Sequence, residues 1–130
     1  MNVKKVACLA LLAIWVNLSV ATDVYAAGIR VKCEVRGTSR SKVSVDGSGL
    51  RGAFYAVVKS GVAGYRSKLP NKVANSKGEV EFDFDSNSSD IRAGASAIPA
   101  NFIKNRTVYG YIRNSSNLLV GTMRATCIAK

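Results

Sequence analysis

The sequence contains no histidine, and its 130 residues include only two prolines, three cysteines and one tryptophan. Without imidazole there is no histidine-ligated zinc site and no triad that relies on a histidine base. Acids are scarce too: 8 Asp and Glu stand against 19 Lys and Arg, a formal charge of +11. No pair of carboxylates stands out as an acid and base for hydrolysis, so the chain reads as a non-enzyme that needs no cofactor. The longest unbroken apolar run, Val6 to Val16, stops at Asn17, short of the ~20 residues of a spanning helix. What remains is an apolar fraction of 48% with 21% charged residues. That is enough for one small core, and it excludes both a disordered polyelectrolyte and a multi-spanning membrane protein.

The first 26 residues have the parts of a cleavable export signal: Lys4 and Lys5, the apolar run, and a polar stretch closing on Val24-Tyr25-Ala26. Val24 and Ala26 are the small residues that signal peptidase accepts, so cleavage is expected after Ala26. Residues 27–130 then form a single periplasmic or secreted domain with no transmembrane segment. Cys8 follows the lysines too closely to be a lipidation site. Its removal leaves Cys33 and Cys127, an even number in an oxidising compartment, and a structural disulfide is expected between them. They lack the close spacing of a redox pair.

The mature chain has a period of two. Ile29 to Arg36 alternates apolar with charged residues, placing Cys33 inside, and Glu79 to Asp85 repeats the pattern with acids outside. A short strand at Lys42 to Val45, a turn at Asp46 to Gly49 and a strand from Leu50 to Lys59 lie between them. Tyr65 to Ser76, with Pro70, reads as an irregular connection with room for a short edge strand. Ser86 to Asp90 reads as a turn, and Ile91 to Ala100 as a crossing segment with at most a short strand. Thr107 to Arg113 and Leu118 to Ile128 form a hairpin around Asn114 to Asn117. On its second strand Leu119, Gly121, Met123, Ala125 and Cys127 share the inner face. About seven short strands predict an all-β, two-sheet antiparallel sandwich of immunoglobulin-like type, with the cysteines tying its first strand to its last.

Asp83-Phe84-Asp85-Ser86-Asn87 with Asp90-Ile91, followed by Ile98-Pro99-Ala100-Asn101-Phe102-Ile103, resembles small exported β-sandwich proteins of Gram-negative bacteria. The similarity covers most of the mature chain and both cysteines. It implies a fold and a compartment, and no catalytic residues.

Several short patterns approach known chemistry. Ser39 to Lys42 fits S-x-x-K and Lys59-Ser60-Gly61 approximates K-T-G, but a strand turns positions three apart to opposite faces, so these read as solvated turn residues. Asn87, Asn105 and Asn114 open glycosylation sequons, which matter only in a eukaryotic secretory pathway. Asp83, Asp85, Asn87 and Asp90 place oxygens at spacings that suit Ca²⁺, although an EF-hand loop would need Gly at position 88 and Glu at position 94. The preferred reading is an acidic outer face paired across the sheet with the Lys42 strand, with calcium as the alternative.

The basic charge carries the functional expectation. Strand parity turns Tyr109, Tyr111 and Arg113 outward, exposes Arg124, and sets Arg51, Tyr55 and Lys59 on the neighbouring strand's outer side. Such a face attracts phosphates or carboxylates and offers flat rings to sugars. The expected partner is an anionic envelope component: lipid head groups, cell-wall glycan or acidic polysaccharide. The compartment disfavours nucleic acid. The competing reading is a structural or accessory subunit of a surface assembly, held through protein contacts at an open sheet edge.

Overall fold

The computed structural model describes residues 28–130. The expected export signal, the cleavage expected after Ala26 and Cys8 lie outside the described residues. The chain forms β1 (Gly28–Arg36), β2 (Arg40–Ser48), β3 (Ala53–Ser60), β4 (Ala63–Arg66), β5 (Lys72–Val73) and β6 (Val80–Asp85). A short helix α1 (Ser88–Arg92) follows, then β7 (Ser96–Ala97), β8 (Thr107–Asn114), β9 (Leu119–Thr126) and β10 (Ile128–Ala129). One sheet, A, has the order β10-β1-β2-β6-β7; the other, B, has β4-β3-β8-β9, with β5 also pairing β3. Six of the seven longer strands fall where the sequence places them; the exception is β4, which begins where Gly61 and Gly64 read as the end of the preceding strand. The ladders are not all antiparallel, however: β10 runs parallel to β1 and β7 parallel to β6. Both exceptions are two-residue strands that fill out a sheet edge.

Alternation decides which side chains meet between the sheets. Val31, Cys33, Val43, Val45, Phe82 and Phe84 from sheet A pack against Phe54, Ala56, Val58, Val108 and Ile112 from sheet B. The layers approach so closely at Gly110 that a Cβ there would stand 2.6 Å from Val31 Cγ2 and 3.2 Å from Val45 Cγ2. Gly121 is equally constrained by Ile29 of β1. A side chain at either position would wedge the sheets apart.

Cys33 and Cys127 form the expected disulfide, with Cα atoms 4.6 Å apart, and both are buried. Arg106 donates from Nε and Nη2 to the Cys127 carbonyl at 3.0 and 2.9 Å, holding the chain where it leaves β9. Buried serines tie the connections down. Ser41 Oγ donates to the Ala100 carbonyl at 2.8 Å and accepts from Ile103 N at 3.2 Å, and Ser60 Oγ donates to the Thr107 carbonyl at 2.7 Å. Phe102 enters the core in an edge-on contact with Tyr65, ring centroids 5.4 Å apart.

Three local expectations are corrected. Ser88–Arg92 form a helix where the sequence reads as a turn running into a crossing segment: Asn87 Oδ1 accepts from Ser89 N at 3.0 Å and caps α1. Five helical residues are too few for an apolar period to show. On β9, Leu119 pairs with Arg113 after an irregularity that skips Val120, so it faces outward, 45% exposed, while Val120 packs on the core. Met123 lies opposite Gly110 on the inner side as expected, yet is 44% exposed, because no strand lies beyond it among the described residues.

Candidate cationic sheet face

The outer side of sheet B gathers most of the residues singled out from the sequence. On β3, Tyr55, Val57 and Lys59 point away from the core; across the ladder they pair with Arg113, Tyr111 and Tyr109 of β8. On β9, Thr122 pairs with Tyr111 and Arg124 with Tyr109. Tyr109 is exposed and Tyr111 and Arg113 are half-buried. The Lys59 ammonium sits over the Tyr111 ring, 5.8 Å from its centroid, a weak attraction at an exposed site.

Two of the expected residues do not contribute as anticipated. Arg51 stands in the turn between β2 and β3, outside the paired strands. Tyr55 faces outward but is only 8% exposed. The Arg66 guanidinium covers its ring at 3.8 Å, and its hydroxyl donates to Asn117 Oδ1 at 2.8 Å. Arg66 in turn donates to Asn71 Oδ1 at 3.1 Å, and Arg113 Nη1 to the Asn117 carbonyl at 3.0 Å. Tyr55 is therefore a platform that fixes Arg66 in place. Sequence reasoning missed Arg66 because Gly61 and Gly64 look like a strand's end; Gly61 is in fact the turn into β4, with φ +58°. The alternation from Ala63 to Arg66 was the available signal.

The charge is divided between the two sheets. No Asp or Glu occurs on any strand of sheet B, which carries Lys59, Arg66, Lys72, Arg113 and Arg124. All the acids among the described residues, Glu34, Asp46, Glu79, Glu81, Asp83, Asp85 and Asp90, lie on or beside sheet A. There the expected pairing with the Lys42 strand is only partly realised. Lys42 is opposite Asp85 in register, but the cation that binds Asp85 is Arg40, through Nε at 3.1 Å and Nη2 at 2.7 Å. Arg40 also reaches Asp90 at 2.9 Å. Asp46 and Glu81 face one another, so like charges meet.

The calcium alternative meets the same facts. Asp85 and Asp90 hold a guanidinium, Asn87 caps α1, and Asp83 points along the outer face beside Glu81. Among the described residues, no three His, Cys, Asp or Glu side chains converge to hold a metal ion. Ser39 is in the turn after β1, where its hydroxyl donates to the Arg36 carbonyl at 2.7 Å, and Lys42 is exposed on β2.

Asp85 gives the fold a pH dependence. Burial opposes its ionisation, but the hydrogen bonds from Arg40 and from the Asn87 and Ser86 N–H groups outweigh it and hold the carboxyl below its usual range. A carboxyl lowered in the folded state stabilises the fold above its unfolded pKa of about 3.9, and that contribution is lost as pH falls through the folded value. Chemical denaturation across pH should show the wild type losing stability below about pH 4. Asp85→Asn should be less stable at neutral pH and flatter in acid. An equally steep acid limb in the variant would locate the dependence elsewhere.

Two grooves, of about 520 and 430 Å³, lie along sheet A, the first between Arg30, Asp46 and Glu79, the second between Lys32, Lys42 and Asp83. Neither is lined by Tyr109, Tyr111, Arg113 or Arg124, which form a ladder of outward side chains. Such a surface suits an extended or planar ligand better than a small molecule that needs enclosure. Comparison with protein-family models, curated proteins and solved structures finds no match to this chain.

Proposed function

We propose that the chain is an exported, immunoglobulin-like sandwich that binds an anionic polymer or surface of the cell envelope through the outer face of sheet B. The observation that carries this is the segregation of charge: one sheet has cations and outward tyrosines with no carboxylate on its strands. A ligand with repeated carboxylates or phosphates would gain from Lys59, Arg66, Arg113 and Arg124 together, and sugar rings could stack on Tyr109 and Tyr111. The even pair of mature cysteines and the disulfide they form suit an oxidising compartment. The order β1-β2-β6 against β4-β3-β8-β9 supports the immunoglobulin-like assignment.

The test uses the purified protein with an acidic polysaccharide and, separately, with vesicles containing anionic lipid, each at low and high salt. Binding should fall steeply with salt as the charges are screened. Replacing both Tyr109 and Tyr111 with Ala should weaken binding by about tenfold or more if each ring contributes the 1–3 kcal/mol typical of stacking. Arg113→Glu with Arg124→Glu should weaken it further and flatten the salt dependence. The control reverses Arg30 and Lys32, exposed on β1 of the other sheet. Equal losses from the control would mean that only net charge matters, and would overturn the assignment to this face.

A further inference from the structure

The terminal strands of the two sheets are unequal. β7 and β10 have two residues each and β4 has four, whereas β9 has eight and, among the described residues, pairs only with β8. Long open edges are templates for further pairing, and proteins ordinarily blunt them with short strands, proline or charge. β9 carries no proline and one charge, Arg124.

Its hydrogen-bonding groups are oriented for a partner. Cys127 N donates to the Arg106 carbonyl at 2.7 Å, one step beyond the Thr107–Thr126 pair. Bonded and non-bonded pairs alternate along an antiparallel ladder. Counting back from that bond, Thr122 and Arg124 take non-bonded positions, so their main-chain N–H and C=O groups point away from β8. The side chains at this edge also have two characters. On the inner side, Gly121 stands against Ile29 at the lip of the core, and Met123, two residues further along the same side, remains 44% exposed. On the outer side, Arg124 continues the cationic face.

We propose that β9 receives an extended segment of a partner protein in which apolar residues alternate with Asp or Glu. The main chain would bond to Thr122 and Arg124. The apolar residues would cover Met123 and close the lip over Ile29, and the acidic ones would lie beside Arg124 on a sheet that has no acid of its own. Charge favours such a segment over a second copy of this chain, which would bring another cationic sheet edge to edge with the first. The period-two pattern is what a strand needs to offer unlike residues to the two faces at once. The two readings share Arg124, but this interaction also needs the outward main-chain groups and inner lip of β9, which the polyanion reading does not use, so the two can fail separately.

A labelled synthetic peptide alternating valine with glutamate tests it, against a peptide of the same composition with valines and glutamates in separate blocks and one alternating valine with lysine. The first should bind, and it should slow hydrogen exchange at the Thr122 and Arg124 amides. Thr122→Pro removes an outward N–H at a position where an edge strand tolerates proline. It should reduce peptide affinity at least about tenfold, the effect of 1.4 kcal/mol, and leave acidic polysaccharide binding unchanged. Should that variant not fold, Met123→Lys, which places a charge on the inner lip, must produce the same selective loss. Equal binding of the block peptide, or unchanged affinity in a folded Thr122→Pro or Met123→Lys variant, overturns the proposal. So does self-association that protects β9 in the absence of peptide, which would make a second copy the occupant.

Discussion

Phe82→Ala is expected to lower the unfolding free energy by about 3–5 kcal/mol, the range for removing a large side chain from a packed core. Phe82 is 2% exposed and belongs to the cluster shared by the two sheets. Glu81, one residue earlier, is the internal control. It faces solvent, and Asp83, partial burial and Asp46 raise its carboxyl above the usual range. An acid raised in the folded state favours folding while it is protonated and loses that contribution as pH rises through its folded value. At neutral pH Glu81→Ala should therefore leave stability unchanged or slightly improved. Urea denaturation of the two variants beside the wild type checks the pair. Similar losses from both would mean that the register of β6 against β2 is displaced by one residue, since that register alone puts one inside and the other out.

Period-two alternation made β1, β6 and β8 legible, because each has one face on the core and one in water. Parity names the side of a sheet a residue occupies, but not what lies against that side. Tyr55 is the plain case: its outward direction follows from β3, while its burial comes from Arg66 and Asn117, brought over it by β4 and the β8–β9 turn. Asp85 has the same parity as exposed Glu81 and is 2% exposed, since Arg40 and α1 close over it. Met123 is the converse, an inner residue with nothing beyond it. Leu119 was illegible for another reason. The irregularity opposite Ile112 and Arg113 shifts the count by one, and Gly121, next to the skipped Val120, is explained equally by the close approach of Ile29. The cationic face was legible because long-range charge adds up over a sheet whatever its detail, and the absence of acids from β3, β4, β5, β8 and β9 needs only the strand order to be seen.

Removing the disulfide is the other change with a large expected effect. Cys33 and Cys127 are 94 residues apart in sequence. Linking them restricts the unfolded chain by roughly 4 to 5 kcal/mol on chain-entropy grounds, and loss of a native bridge from a small exported domain typically costs about 2–5 kcal/mol. The double substitution to alanine should fall in that range, with unfolding measured against oxidised wild type. Alanine in both positions leaves no unpaired polar group, and the Arg106 guanidinium bonds to the main-chain carbonyl of residue 127 rather than to the cysteine side chain, so the native sheets should survive. What should loosen first is β10. Its pairing with β1 is confined to Glu34–Ile128 and Val35–Ala129, supported by a Lys130–Glu34 contact of 3.5 Å. Hydrogen exchange should therefore quicken at residues 128–130 in the variant before it does on β2 or β8. Two titratable thiols in protein purified under oxidising conditions, or a loss below about 1 kcal/mol, would mean that the bridge does not hold the ends of the fold together.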